Sequence, residues 1–351
     1  EGGLVLNRSS FLMDPGQAVQ LENFEPDIQG GYRRINGYTK FINQVVPITS
    51  STSEEPLMAV SFNNRTLAAR GEKIFSSSST QLAIRIASST AMIGSGSITV
   101  DSTTGFASSG NLQIGDEKFT YTGVTLNAFT GVTRATSSTT AATHITDSSV
   151  SIDWTEIDTG RTNAKKYHFE RFNFDGNEKV VFVDQVNAPV VFNTSLSATD
   201  VTDSSVAGAT VVAAYRNHMF YAGKSTTPQE VVFSEPLNED GFNSGNGAGS
   251  IQVDDTIVAL KVFRNSLFIF CENRIFKVTG SSSTDFVVEP VTRNIGCINS
   301  FTVQEFAGDL IFLGPDGLRT IAGTERIGDT ELGTISKNIQ SIFDKNIKDS
   351  V

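Results

Sequence analysis

Five stretches of this 351-residue chain repeat one pattern: a short β-prone run, a polar or glycine turn, and a second β-prone run. The copies are LMAVSFNNRTLAARGEKIF from Leu57, YHFERFNFDGNEKVVFV from Tyr167, VVAAYRNHMFYAG from Val211, IVALKVFRNSLFIFCENRIFKV from Ile257 and SFTVQEFAGDLIFLGPDGLRTI from Ser300. Each predicts an antiparallel hairpin. Counted between the turn markers Asn177, Asn217, Asn265 and Gly308, the intervals are 40, 48 and 43 residues, near the roughly 40 to 50 residues of a four-stranded propeller blade. Asn64 to Asn177 is 113 residues, so an insertion of about 60 to 70 residues is expected there if the blade period holds.

The expected fold class is therefore all-β: a β-propeller built from hairpin repeats, with an inserted small β-sandwich-like or barrel-like module and a short C-terminal helix. Residues 1–50 alternate short apolar pairs with Pro, Gly and Asn and read as an extended arm with little core of its own. Residues 51–87 and 153–330 form the discontinuous propeller. Residues 88–152 turn abruptly to Ser, Thr, Gly and Ala. Their alternation in SITVD, NLQIG, KFTYTG and AFTGVTR predicts about six short strands. A flexible or glycosylated linker would share that composition, but it would not carry a period of two. In residues 331–351, Ile335, Ile339, Ile342, Phe343 and Ile347 recur at helical steps, predicting an amphipathic helix capped by Ser336 that leads into a missing C-terminal part. The start at Glu1 without Met reads as a removed or omitted N-terminal portion.

Phe dominates the aromatics, 25 against 6 Tyr and 1 Trp, as suits half-buried pleated faces. No run of 18 uncharged apolar residues occurs, so no membrane-spanning helix is expected. Cys271 and Cys297, the two cysteines, exclude a disulfide scaffold and read as reduced core thiols, with a single bridge as the alternative. The net charge of −11 is scattered along the chain. Holding duplex DNA by phosphate neutralisation needs clustered Lys and Arg. The acidity serves solubility, or forms a wall that nucleic acid slides past.

Candidate chemistry is sparse. His144, His168 and His218 lie in separate segments without zinc-type spacing and read as surface or core histidines. GNGAGS from Gly245 lacks the ending of a phosphate loop and precedes a strand, so it reads as a flexible loop. Asp254 and Asp255 are adjacent and read as a turn between blades, since neighbouring strand residues point to opposite faces. Asp184, Glu235 and Asp316 sit at strand ends as candidate glycosidase carboxylates, although Asp316-Gly317 is explained as a hairpin turn. Arg33 and Arg34 could reach phosphate, or anchor the arm to acidic neighbours. Arg161, Lys165 and Lys166 read as a solvated face. No catalytic, cofactor-binding or metal residue is singled out, and no cofactor is expected.

The opening GGLVLNRSSFLMDPGQAVQLENFEPDIQGGYRRINGY resembles the start of many tailed-phage virion proteins, with a GGL lead, a PGQA-type turn, an L-x-N-F element and an R-x-x-GY closure in that order. The later run from VVFSEPLNEDGF to GPDGLRTI resembles the propeller of the tail nozzle and packaged-DNA stabilisation proteins of short-tailed phages. TGFASSGNLQIGDEKFTYTGVTLNAFTGVTRATSSTTAATH looks like a small β module found in phage structural proteins. The inserted module departs from the best-known nozzles. The resemblance implies a non-enzymatic homohexameric ring in the virion tail, assembled in the host cytoplasm. Its implied partners are portal and adaptor proteins, tail fibres or spikes, and genomic DNA that passes without sequence-specific binding. A propeller that binds or degrades host-surface glycan is the alternative; it would need aromatic platforms or facing carboxylates around one mouth.

Overall fold

Each of the five repeats closes on a two-residue turn, and the backbone of these turns is left-handed. The central residues are Asn63-Asn64 (φ 46° and 57°), Arg216-Asn217 (50° and 63°), Arg264-Asn265 (45° and 63°) and Ala307-Gly308 (50° and 77°), with Gly176 at 79° in the remaining one. Positive φ at both central positions is the type I′ turn, whose twist matches that of the strands it joins. The turn marker read at Asn177 is displaced by one residue, because Asn177 already pairs with Phe174.

The computed structural model describes residues 3–27, 31–37, 46, 55–77, 84–85, 96–104, 106–137, 139–152, 154–163, 165–174, 176–321 and 335–349. They fall into two compact units, one of residues 1–37, 168–191 and 199–351, the other of residues 38–167 and 192–198. The architecture is all-β with one short helix near the C-terminus.

The first unit opens with the arm, β1 (Gly3–Leu4) parallel to β2 (Gln17–Ala18) and β3 (Phe24–Pro26) antiparallel to β4 (Tyr32–Arg34). The Tyr32 hydroxyl fastens it locally, accepting from Gly3 N and donating to Gly16 O, both at 2.5 Å. Leu6 N donates to Asn338 O at 2.7 Å. In the arm Phe11 and Leu12 are exposed and Val5 is buried.

Behind the arm, antiparallel meander sheets follow in chain order. Sheet 2 is β16 (His168–Phe174), β17 (Asn177–Val183), β18 (Val190–Asn193) and β19 (Ala198–Asp200). Sheet 3 is β20 (Val211–Tyr215), β21 (His218–Lys224), β22 (Thr227–Phe233) and β23 (Gly249–Gln252). Sheet 4 is β24 (Ile257–Phe263), β25 (Ser266–Cys271), β26 (Ile275–Thr279) and β27 (Val287–Thr292). Sheet 5 is β28 (Gln304–Phe306), β29 (Asp309–Gly314) and β30 (Gly317–Thr320). The hairpins thus grow into four-stranded sheets more fully than the repeats alone implied, and the last copy begins with a 3-10 turn at Ser300–Thr302 rather than a strand.

These sheets stack face to face, as propeller blades do. Phe172, Phe174 and Val181 pack on Val212, Met219 and Tyr221. Val211, Tyr215 and Phe220 pack on Ile257, Leu267 and Ile269. Ala259, Phe263, Phe268 and Phe270 pack on Leu310 and Phe312. Because side chains alternate across a strand, every sheet between two others needs apolar residues on both faces, which explains unbroken runs such as LFIFC.

Cys271 and Cys297 belong to the two apolar cores on either side of sheet 4. Their backbones touch, with Cys297 N donating to Cys271 O at 2.8 Å, yet both thiols are free and buried. Burial pushes the Cys271 thiol up to about 12.

The second unit holds sheet 1, of β5 (Pro56–Phe62), β6 (Arg65–Arg70), β7 (Lys73–Ser76) and β15 (Thr155–Thr159). The insertion lies between the third and fourth strands of this sheet. It comprises two sheets: β8 (Ile84–Arg85), β14 (Ser149–Ile152), β10 (Gly110–Ile114) and β11 (Glu117–Tyr121) in one, and β9 (Gly96–Thr99), β13 (Ala128–Val132) and β12 (Gly123–Thr125) in the other. Among the described residues the strands within 88–152 are six, as expected, and β8, ahead of those bounds, pairs with β14. The sheets share one core of Ile98, Leu112, Phe119, Tyr121, Phe129, Val132 and Val150, which makes the module sandwich-like.

The terminal helix α1 (Gln340–Asp349) is shorter than expected. Ser336 does not cap it; its hydroxyl accepts from Leu318 N and donates to Gln340 Oε1, both at 3.1 Å. Ile335 and Ile342 stay exposed, so these two lie outside any buried stripe, and the side chain of Ile347 lies outside the described residues.

A second repeated device joins the sheets. Arg216 stacks over Tyr215, 5.4 Å from the ring centroid, and its Nε donates to Gly280 O at 3.0 Å. Tyr215 Oη donates to Asn265 O, in the next turn, at 3.1 Å. One sheet on, Arg264 stacks over Phe263 at 4.9 Å and donates to Gly308 O, again in the next turn, at 2.5 Å. Each contact combines a cation over a ring with a charge-assisted hydrogen bond. Arg264→Ala should lower stability by about 1 kcal/mol with Phe263 left in place; an unchanged urea midpoint would show that the clasp carries no weight.

Candidate functional site

The inner strands of the first unit meet near its start. His168, first residue of β16, is hydrogen-bonded through Nε2 to Ser300 Oγ at 2.7 Å and stacks on Phe301 with ring centroids 4.1 Å apart. Sheet 2 therefore touches the 3-10 turn that precedes sheet 5. Two residues along β16, Glu170 accepts from the Ala214 backbone N–H of sheet 3 and lies in the field of Lys261 on sheet 4.

Burial shifts both titrating groups. It holds His168 down at about 4 and drives Glu170 up to about 6 against the opposing pull of the Ala214 N–H, Lys261 and Arg171. The signs are opposite. His168, neutral in the fold, costs stability as pH falls from its ordinary 6.5 towards 4. Glu170 costs stability as pH rises from its ordinary 4.5 through 6. Glu170→Gln should therefore raise stability above pH 7, by up to about 2 kcal/mol for a shift of this size, and leave it unchanged near pH 4. Equal urea midpoints for variant and parent at pH 8 would contradict this.

The buried polar centre of the second unit is Glu117, on β11. Its carboxylate accepts from Arg134 Nε at 2.9 Å and Arg134 Nη2 at 2.8 Å, from the backbone of Ala135 and Ala142 at 3.2 and 2.8 Å, and from His144 Nε2 at 2.8 Å. Burial alone would raise its pKa. The donors from Arg134, Ala142 and His144 overcome that and hold Glu117 down at about 2. The cluster pins the long connection from β13 to β14 onto the module, and every lone pair has a structural partner.

Removing one partner of a buried pair typically costs about 3–5 kcal/mol, so Glu117→Ala should unfold the module first. Its stabilising contribution is full above the ordinary 4.5 and is lost as pH falls towards 2. Resistance of Arg134-containing peptides to limited proteolysis at pH 7 would drop in the variant; unchanged protection would refute the role.

The candidate carboxylates are not brought together. Asp184 accepts from Val186 N and Asn187 N at 3.1 and 2.8 Å, folding the turn after β17. Glu235 accepts from Asn238 Nδ2, Asn243 N and Asn246 Nδ2 at 3.1–3.2 Å. Around it the Gly245 loop is organised into a 3-10 turn capped by Asn243, rather than the flexible loop expected. Asp316 grips Arg319 through both oxygens, in the two-residue turn from β29 to β30.

Asp254 and Asp255 do lie in the connection between sheets 3 and 4. Asp254 pairs with Arg274, and Asp255 accepts from Asn273 N at 2.7 Å. They line an open polar cleft of about 420 Å³ with Arg293 and Asn294.

Among the basic residues, Arg33 pairs with Glu25 at 2.7 Å across β3 and β4, within the arm itself. Arg161 departs from the solvated reading: it is buried and paired with Asp158 at 2.5 Å. His218 is a core histidine whose Nδ1 donates to Ser234 O at 2.6 Å. Among the described residues no group of three His, Cys, Asp or Glu could hold a metal ion, and no helix is long and apolar enough to cross a membrane.

Sequence reasoning missed the contact of His168 with Ser300 and Phe301, 132 residues apart, and the Glu117 cluster, whose only local sign is a polar Glu within an otherwise alternating strand.

No family profile and no curated protein matches this chain. Among solved structures, the endosialidase of phage phi92 is similar at 16% identity and a TM-score of 0.36, over 76% of this chain and 54% of that one. BBS1N, solved in complex with ARL6DN, is similar at 9% identity and a TM-score of 0.30, over 76% of each chain. Apo AztD from Citrobacter koseri is similar at 14% identity and a TM-score of 0.25, over 72% and 69%. The chain spans about half the length of the endosialidase.

Proposed function

We propose that this chain is a structural subunit of a tailed-phage virion, a ring-forming tail nozzle or hub that continues the DNA channel below the portal and adaptor. One observation carries the reading. The segment that resembles the opening of phage virion proteins is an arm of short paired strands that buries Val5 but leaves Phe11 and Leu12 exposed. Chain that buries so little of itself is built for burial against another molecule.

One further feature fits. The net charge of −11 discourages adhesion of phosphate along such a wall.

The test is genetic. Particles assembled without this protein should package DNA and then lose it, and should lack the density below the neck. Particles that keep both genome and neck but fail to adsorb to host polysaccharide would overturn the nozzle reading in favour of a glycan-binding propeller.

A further inference from the structure

The chain contains two Asn-Gly steps, Asn36-Gly37 and Asn246-Gly247. Asparagine before glycine is open to self-modification, because no Cβ on the following residue keeps its backbone nitrogen away from the side-chain amide carbon. Ring closure between those two atoms needs two freedoms. The Asn side chain must swing back over its own backbone, and the next N–H must be released from any hydrogen bond. The two steps differ in both.

Asn246-Gly247 is held. It closes the 3-10 turn Ser244–Asn246, where Asn246 Nδ2 donates to Glu235 Oε1 at 3.1 Å and Gly247 N donates to Ser244 O at 3.3 Å. Asn246 N and Ala248 N both donate to Asn243 O, at 3.0 and 3.3 Å, so the backbone on either side is tied as well. A Cβ at Gly247 would stand 3.2 Å from Ser283 Oγ and 3.3 Å from Pro236 Cδ, which leaves a swinging side chain little room.

Asn36-Gly37 is not held. Both residues follow β4 and are exposed, and a Cβ at Gly37 would meet nothing within 4 Å. Among the described residues, neither the Asn36 side chain nor the Gly37 N–H has a hydrogen-bond partner. The last tie before this step is Ile35 N to Asn23 O at 2.9 Å.

We infer that Asn36 is a self-modification site, converting without an enzyme to aspartate and isoaspartate, and that the Glu235 loop protects Asn246 from the same reaction. The Gly37 nitrogen bonds to Asn36 Cγ and gives up its proton, the Cγ–Nδ2 bond breaks, and the amide leaves as ammonia. Water then opens the cyclic imide at either carbonyl. One opening leaves aspartate; the other leaves isoaspartate, with an added methylene in the backbone. Either product places a carboxylate two residues from Arg34, and isoaspartate also alters the path of the chain as it leaves β4. The inference is independent of the ring reading above.

Peptide mass spectrometry of the full chain, incubated in mildly alkaline buffer, tests it by the mass gain of an amide-to-acid exchange at each site. Conversion at Asn36 should run at least about tenfold faster than at Asn246, since two hydrogen bonds must break before the second ring can close. In concentrated urea the two rates should converge, which assigns the difference to the fold. Glu235→Ala should speed conversion at Asn246 severalfold and leave Asn36 unchanged, and Asn36→Gln should abolish the fast site. Equal rates at the two sites in the folded chain, or a difference that survives in urea, overturn the inference. A rate at Asn246 that Glu235→Ala does not move overturns the protective role.

Discussion

The stacking of aromatic side chains at the ends of the hairpins is the constraint on which the rest depends. Phe62, Phe174, Tyr215, Phe263 and Phe306 each stand immediately before a two-residue turn. There the type I′ backbone and the alternation of the strand fix the direction in which the ring points. Once that direction is fixed, the next sheet must offer an apolar face, and the chain reads as one hairpin after another with little freedom in register. A one-residue slip would turn each of these rings to the wrong side. The Arg216 and Arg264 clasps reinforce a geometry that the rings already impose.

The same constraint explains how an entire module can be inserted. Sheet 1 takes its fourth strand, β15, from beyond the insertion, so the two ends of the module leave and re-enter through neighbouring strands of one sheet. The module brings its own core and its own polar lock at Glu117. Its alternation differs from that of the hairpins because its two sheets share a single apolar core, whereas sheets 3 and 4 carry apolar cores on both faces.

The hairpins were legible because their information is local: Asn-Asn, Arg-Asn or Ala-Gly between two β-prone runs leaves few alternatives to a tight turn. The amphipathic C-terminal pattern was legible only as helix, and its length and cap were not, since Ser336 is drawn to Leu318 by a contact outside its own segment. Arg161 looked like a surface charge beside Lys165 and Lys166; burial with Asp158, three residues away, is decided by how β15 sits in its sheet. Cys271 and Cys297 gave no sign that their backbones adjoin or that their thiols point into different cores. The candidate carboxylates failed as a group for a related reason: Asp184, Glu235 and Asp316 each satisfy a turn of their own, and residues that do so are poor predictors of a shared site.

On the proposed reading this chain is a building block that works only as an assembly of copies. Cryo-electron microscopy of the purified full-length protein tests it most directly. A closed ring, with its opening between copies, is the predicted result. Dispersed monomers that bind host polysaccharide through one face would contradict it.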